Sequence, residues 1–157
     1  MSLFKDVKTV VLSVGVFDCF HEGHADLLAR MREAGERSYV IIHDDLSTFR
    51  NKKRFPIQPL GLRRQNVMAT GLVDHVEDVY SPDPSPIIDR AVFLIRDMYP
   101  GATIVYLRGD DKGFWGVGKF PGQATLERHG IEIRFKKYLE GVSTTMRRDE
   151  KIDKTAV

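Results

Sequence analysis

Residues 10–24 read Val-Val-Leu-Ser-Val-Gly-Val-Phe-Asp-Cys-Phe-His-Glu-Gly-His, and no other stretch limits the fold as tightly. Val10, Val11, Leu12 and Val14 form an apolar, largely β-branched run, the mark of a strand buried on both faces. Leu27, Leu28, Met31 and Ala34 then recur at helical spacing. Between them stand Gly15, Gly23 and two histidines three residues apart, His21 and His24. A buried strand that turns directly into a helix belongs to an α/β sheet. In such sheets the turn lies at the carboxyl end of the strand, where ligands bind. A helix N-terminus there presents backbone N–H groups and a positive dipole end to an anion.

The rest of the chain repeats the alternation. Strands are expected at residues 7–14, 38–43, 76–80, 103–107 and 131–135, and helices at 25–34, 60–70, 87–98 and 124–129. Gly71, Pro100-Gly101 and Gly130 punctuate the helix ends. Residues 44–59 read as a long polar loop carrying Arg50, Lys52, Lys53 and Arg54, and residues 108–118 as a glycine-rich polar loop. A final helical turn is expected after Gly141-Val142-Ser143-Thr144-Thr145. Five strands alternating with helices predict a single-domain α/β fold with a five-stranded parallel sheet. The domain is expected over residues 1–150, with a polar tail at 151–157.

Composition excludes several classes. The 157 residues carry 24 Lys and Arg against 22 Asp and Glu, a net charge of +2, too small to argue for a nucleic-acid partner. The basic cluster at 50–54 lacks the interleaved aromatics of an RNA-binding surface. No apolar run approaches the ~20 residues of a membrane span. One cysteine, Cys19, excludes an internal disulfide and suits a reducing cytoplasm.

Three readings of the histidine pair compete on the residues alone: surface or structural histidines, zinc ligation with Cys19, and a phosphate site. Zinc asks for a third or fourth ligand at matched spacing, and there is no second cysteine. The position after a buried first strand favours the phosphate site, where imidazoles stabilise charge on a reacting phosphoryl group.

Gly15-Val16-Phe17-Asp18 followed by His21-Glu22-Gly23-His24 resembles the signature of the cytidylyltransferases, which join CTP to glycerol 3-phosphate, phosphocholine or phosphoethanolamine. They sit within a nucleotidyltransferase superfamily marked by His-x-Gly-His. The resemblance extends to four further motifs in order: residues 53–63, Val73-Asp74-His75-Val76, Gly109-Asp110-Asp111, and Gly141 through Thr145.

What the resemblance implies is specific. The fold would be the Rossmann-like nucleotidyltransferase fold. The reaction would transfer CMP from CTP to a small phosphorylated alcohol or a phosphonate, releasing pyrophosphate, with magnesium as cofactor. His21, His24 and Lys53 would be catalytic, with the histidines on the α- and β-phosphates and Lys53 on the acceptor phosphate. Gly15, Val16, Phe17 and Gly23 would line the nucleotide; Arg63, Ser143 and Thr144 would hold its triphosphate, with Gly141 and Asp110 beside it. Arg64, one position on, competes with Arg63 for its role. A homodimer is also implied. Many cytidylyltransferases carry an arginine three residues before the glycine of the last motif, where this chain has Tyr138. A relative that makes ADP-heptose from ATP has an aromatic residue there. The alternatives are therefore an ATP-dependent adenylyltransferase acting on a sugar phosphate, or a catalytically silent nucleotide-binding module.

Overall fold

The computed structural model describes residues 6–109 and 120–136. Five strands form one sheet in the order β3-β2-β1-β4-β5. They are β1 (Thr9–Gly15), β2 (Arg37–His43), β3 (His75–Val79), β4 (Thr103–Gly109) and β5 (Glu132–Lys136). All four pairings are parallel. The expected α/β class and strand number are thus observed.

Sheet order fixes where a ligand can enter. The chain runs outward from β1 through β2 to β3, then returns to the other side of β1 to lay down β4 and β5. The reversal opens a crevice between the carboxyl ends of β1 and β4, the topological switch point of the sheet. A constant crossover hand then sends the two halves' helices to opposite faces. Accordingly Val11, Val40 and Ile42 pack with Leu28 and Met31 of α1 (Glu22–Ala34), and with Val67 of a helix at Leu60–Ala69. Val10, Leu12 and Ile41 pack with Ile88, Ala91, Val92 and Ile95 of a helix at Ser85–Met98, and with Leu126 of one at Gln123–Arg128. Neighbouring valines of β1 face opposite cores, which is why the run is apolar throughout.

The loop expected at 44–59 is corrected. Its first half is a helix, α2 (Asp45–Lys52); the later helices are therefore α3 (Leu60–Ala69), α4 (Ser85–Met98) and α5 (Gln123–Arg128). Asp44 caps α2, its carboxylate accepting from the Ser47 N–H at 2.9 Å. Asp45 sits in the first turn and Arg50 and Lys52 in the last, matching the helix dipole at both ends. Apolar periodicity misses this helix because its large apolar residues, Leu46 and Phe49, are exposed. The residues expected to form the last helical turn, 143 onward, and the 151–157 tail lie outside the described residues.

Candidate functional site

The turn after β1 is held in an unusual backbone. Phe17 (φ 56°) and Cys19 (φ 48°) both occupy the left-handed region, which costs non-glycine residues on the order of 1–3 kcal/mol each. The Phe17 ring folds back over Gly15, so closely that a Cβ at Gly15 would meet it at 3.0 Å. A side chain at position 15 would press on that ring, which would have to give by a few tenths of an ångström.

Bonds from a distant segment hold this turn. The Asp18 carboxylate, 2% exposed, accepts from the Ile57 N–H at 2.8 Å and the Gln58 N–H at 2.9 Å. The Cys19 N–H donates to Gln58 Oε1 at 3.2 Å. Arg63 Nη1 donates to the Val16 carbonyl at 2.8 Å.

His21 is the N-cap of α1, which begins at Glu22, three residues before the expected start. Its Nδ1 accepts from the Gly23 N–H at 3.0 Å, and His24 Nδ1 accepts from the His21 N–H at 3.3 Å. The two imidazoles form a reciprocal capping box, the work usually done by Ser or Thr with Glu. Their rings stack at 3.9 Å between centroids, with 21° between planes. Phe17 and Phe20 flank His24 at 5.4 and 5.5 Å.

This geometry assigns the tautomers. A ring nitrogen that accepts an N–H carries no proton in the neutral imidazole, so the proton of each ring sits on Nε2. Both histidines therefore hold an Nε2–H donor at the positive end of a helix, at the carboxyl end of β1. Gly23 is buried, and its N–H is spent on His21 rather than left for an anion.

Arg63 differs from its expected exposure to a triphosphate. The guanidinium is 0% exposed. Nε donates to the Gln58 carbonyl at 3.0 Å, Nη1 to the Val16 and His43 carbonyls at 2.8 and 2.7 Å, and Nη2 to Asp45 Oδ1 at 2.6 Å. It borders the turn through the backbone of Val16. Arg64 instead pairs with Asp78 of β3, so of the two arginines Arg63 is the one that touches the turn. Lys53 is the C-cap of α2 at φ 61°, with an exposed side chain. On either side of it Phe49 and Phe55 stack at 4.5 Å and 18°, both exposed. Asp110, Gly141, Ser143 and Thr144 lie outside the described residues, as does Tyr138.

Sequence reasoning gave no role to Asp18, Gln58, Asp45 or His43. The signal for Asp18 was present, since it lies inside the Gly-Val-Phe-Asp motif. His43 ends β2, 7% exposed, with Nδ1 3.0 Å from Ser47 Oγ. Burial pushes its pKa from 6.5 down to about 4, helped by Lys52 and Arg63 and opposed by Asp44. It is a neutral, packed imidazole behind the turn. For a cation, among the described residues no three His, Cys, Asp or Glu side chains gather to hold a metal ion.

Comparison with known proteins agrees with this architecture. A family model described as cytidylyltransferase-like matches residues 12–149. The bifunctional protein HldE of Yersinia enterocolitica is 31% identical over 139 residues, covering 88% of this chain and 26% of that protein. HldE of Yersinia pestis gives the same figures, so this chain spans about a quarter of the length of these relatives. Among solved structures, a lipopolysaccharide core biosynthesis protein from Thermoplasma volcanium superposes with a TM-score of 0.55 at 21% identity, covering 85% of this chain and 97% of that one. A protein described as a nicotinate-nucleotide adenylyltransferase from Vibrio parahaemolyticus gives 0.51 at 17%, covering 90% and 79%. A sheet that switches direction at β1, a histidine-capped helix at that point, and a family model matched from Leu12 into the C-terminal region lead to one assignment: the chain belongs to the cytidylyltransferase-like family of nucleotidyltransferases.

Proposed function

We propose that this chain transfers a nucleotidyl group from a nucleoside triphosphate to a phosphate oxygen of a small acceptor, releasing pyrophosphate. The observation that carries the reading is the pair of imidazoles capping α1 at the carboxyl end of β1, each with Nδ1 accepting a backbone N–H so that its proton lies on Nε2. The acceptor oxygen attacks the α-phosphorus in line, the α–β bridging bond breaks, and its electron pair leaves with pyrophosphate. No covalent intermediate is needed, so the protein's work is positioning and charge stabilisation. His21 and His24 donate to oxygens on which charge builds. The backbone of Gly15, Val16 and Phe17 lines the nucleotide, and Arg63 supports it through the Val16 carbonyl. Lys53 neutralises the acceptor phosphate as a point charge. Ser143 and Thr144, with Gly141 and Asp110, hold the triphosphate by resemblance. Magnesium bound to the triphosphate would supply charge screening for the pyrophosphate.

The donor we favour is ATP, and the acceptor a sugar phosphate, giving an ADP-linked sugar. Three observations support this. Tyr138 stands where many CTP-using enzymes have arginine. The solved neighbours include one described as an adenylyltransferase and one described as a lipopolysaccharide core biosynthesis protein. The exposed Phe49–Phe55 stack beside Lys53 offers a flat apolar face against which a sugar ring can lie. CTP with a phospho-alcohol is the second reading, favoured by the ordered set from Gly-Val-Phe-Asp through Gly-Val-Ser-Thr-Thr. A pyrophosphate-release screen of ATP and CTP against sugar phosphates, phospho-alcohols and phosphonates tests both. A cytoplasmic homodimer remains part of this proposal. Among the described residues no helix is long and apolar enough to cross a membrane.

A further inference from the structure

The excursion from Asp45 to Gln58 carries Lys53 and the aromatic stack, and it is closed at its base by one side chain. Arg63 bonds Asp45 at the start of α2 and the Gln58 carbonyl at the end of the loop. The same guanidinium bonds the His43 carbonyl at the end of β2 and the Val16 carbonyl in the histidine turn. Asp18 grips the loop end from the other side: its two oxygens take the successive N–H groups of Ile57 and Gln58. Residue 58 is therefore held twice. A buried anion takes its N–H, and a buried cation takes its C=O.

We propose that Asp18 and Arg63 form a clamp that sets the distance between the two halves of the site. They are positioning residues: they fix the acceptor-side loop against the histidine turn, and the inference rests on the nucleotidyl-transfer reading above. Both charges are almost wholly withdrawn from water, 2% and 0% exposed, and the groups between them are backbone amides rather than a direct ion pair. Burying charges this way is costly unless hydrogen bonds compensate fully, so loss of one partner is felt at the other. Only four residues separate Lys53 from Gln58. Over so short a stretch of chain, a shift at Gln58 is passed on toward Lys53. In-line transfer needs acceptor and nucleotide registered to within about 1 Å, and misplacement on that scale costs up to about a hundredfold.

The test uses the full chain with Asp18→Asn. One carboxylate oxygen becomes an amide NH2 facing a backbone N–H, so one of the two bonds is lost while the volume is kept. Amide hydrogen exchange at Ile57 and Gln58 reads the clamp. Binding of Mg-α,β-methylene-ATP by calorimetry reads the nucleotide side. An NMR titration with inorganic phosphate, at saturating α,β-methylene-ATP, reads the acceptor side. The expected result is faster exchange at both amides and phosphate binding weakened on the order of tenfold. The nucleotide dissociation constant should rise clearly less than the phosphate constant, because the amides that are released belong to the loop end and not to the turn. Faster exchange with unchanged phosphate affinity overturns the proposal, as does equal weakening of both ligands. Arg63→Lys keeps the charge without the fork and should reproduce the phosphate defect. Should Asp18→Asn fail to fold, Arg63→Lys carries the same three readouts, and folded Arg63→Lys with wild-type phosphate binding overturns the clamp. Failure of the underlying reading is separately visible: wild-type protein would then release no pyrophosphate from ATP or CTP.

Discussion

The Nδ1 atom of His24 accepts the backbone N–H of His21 at 3.3 Å, while His21 Nδ1 accepts the Gly23 N–H at 3.0 Å. Each imidazole thus gives Nδ1 to the helix cap and carries its proton on Nε2. The two tasks are separable by mutation. His21→Asn retains a strong capping side chain and removes the Nε2–H donor. It should melt within a few degrees of wild type while kcat falls on the order of 10²–10³. His21→Ala should show the same kcat loss and a further loss of about 1 kcal/mol in stability. Calorimetric unfolding and steady-state kinetics on both variants check this; a folded His21→Asn with near-normal turnover would refute it.

Lys53 gives the second expectation. Lys53→Ala should raise KM for the phosphorylated acceptor far more than KM for the nucleotide. Phe55→Ala should do so only for acceptors with a ring. Matched increases in both constants after Lys53→Ala would make the lysine a general electrostatic contributor instead.

The third concerns pH. His43 has its pKa lowered from 6.5 to about 4 in the fold, chiefly by burial. The unfolded chain therefore binds a proton first as pH falls. The stability due to this group is fully present above about 6.5 and lost progressively down to about 4, a total of about 3 kcal/mol. Denaturant midpoints between pH 7 and pH 4 should fall more steeply for wild type than for His43→Asn, whose amide does not titrate. Parallel curves would show that His43 is already as solvated as in the unfolded chain.

A fourth concerns β1. Ser13 is 0% exposed, and among the described residues its hydroxyl has no hydrogen-bond partner. A buried hydroxyl without a partner costs about 1–3 kcal/mol, so Ser13→Ala should be at least as stable as wild type by urea unfolding. A clear loss of stability would mean that the hydroxyl is satisfied, for instance by a buried water.

Much of this architecture was legible in the residues because its signals are local. The β1 run, the α1 period and the glycine stops gave the alternation, and the alternation gave the sheet. The histidine turn was legible for the same reason. The α2 helix was not, since its apolar residues face outward and only the Asp44 cap announces it. The role of Arg63 was hidden more deeply. Its partners Val16, His43, Asp45 and Gln58 come from three separate segments, and no spacing rule in one sequence reveals a side chain that joins backbone carbonyls and a carboxylate across a fold. Exposure and burial of an arginine look alike in a sequence, so a phosphate ligand and a backbone clasp cannot be distinguished there.

The most direct test of nucleotidyl transfer at the histidine turn is ³¹P NMR of wild type and His24→Ala. Each is incubated with Mg-ATP or Mg-CTP and a panel of sugar phosphates and phospho-alcohols. The account predicts pyrophosphate together with a new diphosphate-linked product in wild type, greatest with ATP and a sugar phosphate, and its loss by on the order of 10²–10³ in His24→Ala. Equal turnover in the two proteins, release of inorganic phosphate in place of pyrophosphate, or no reaction across the panel with neither nucleotide bound would contradict it.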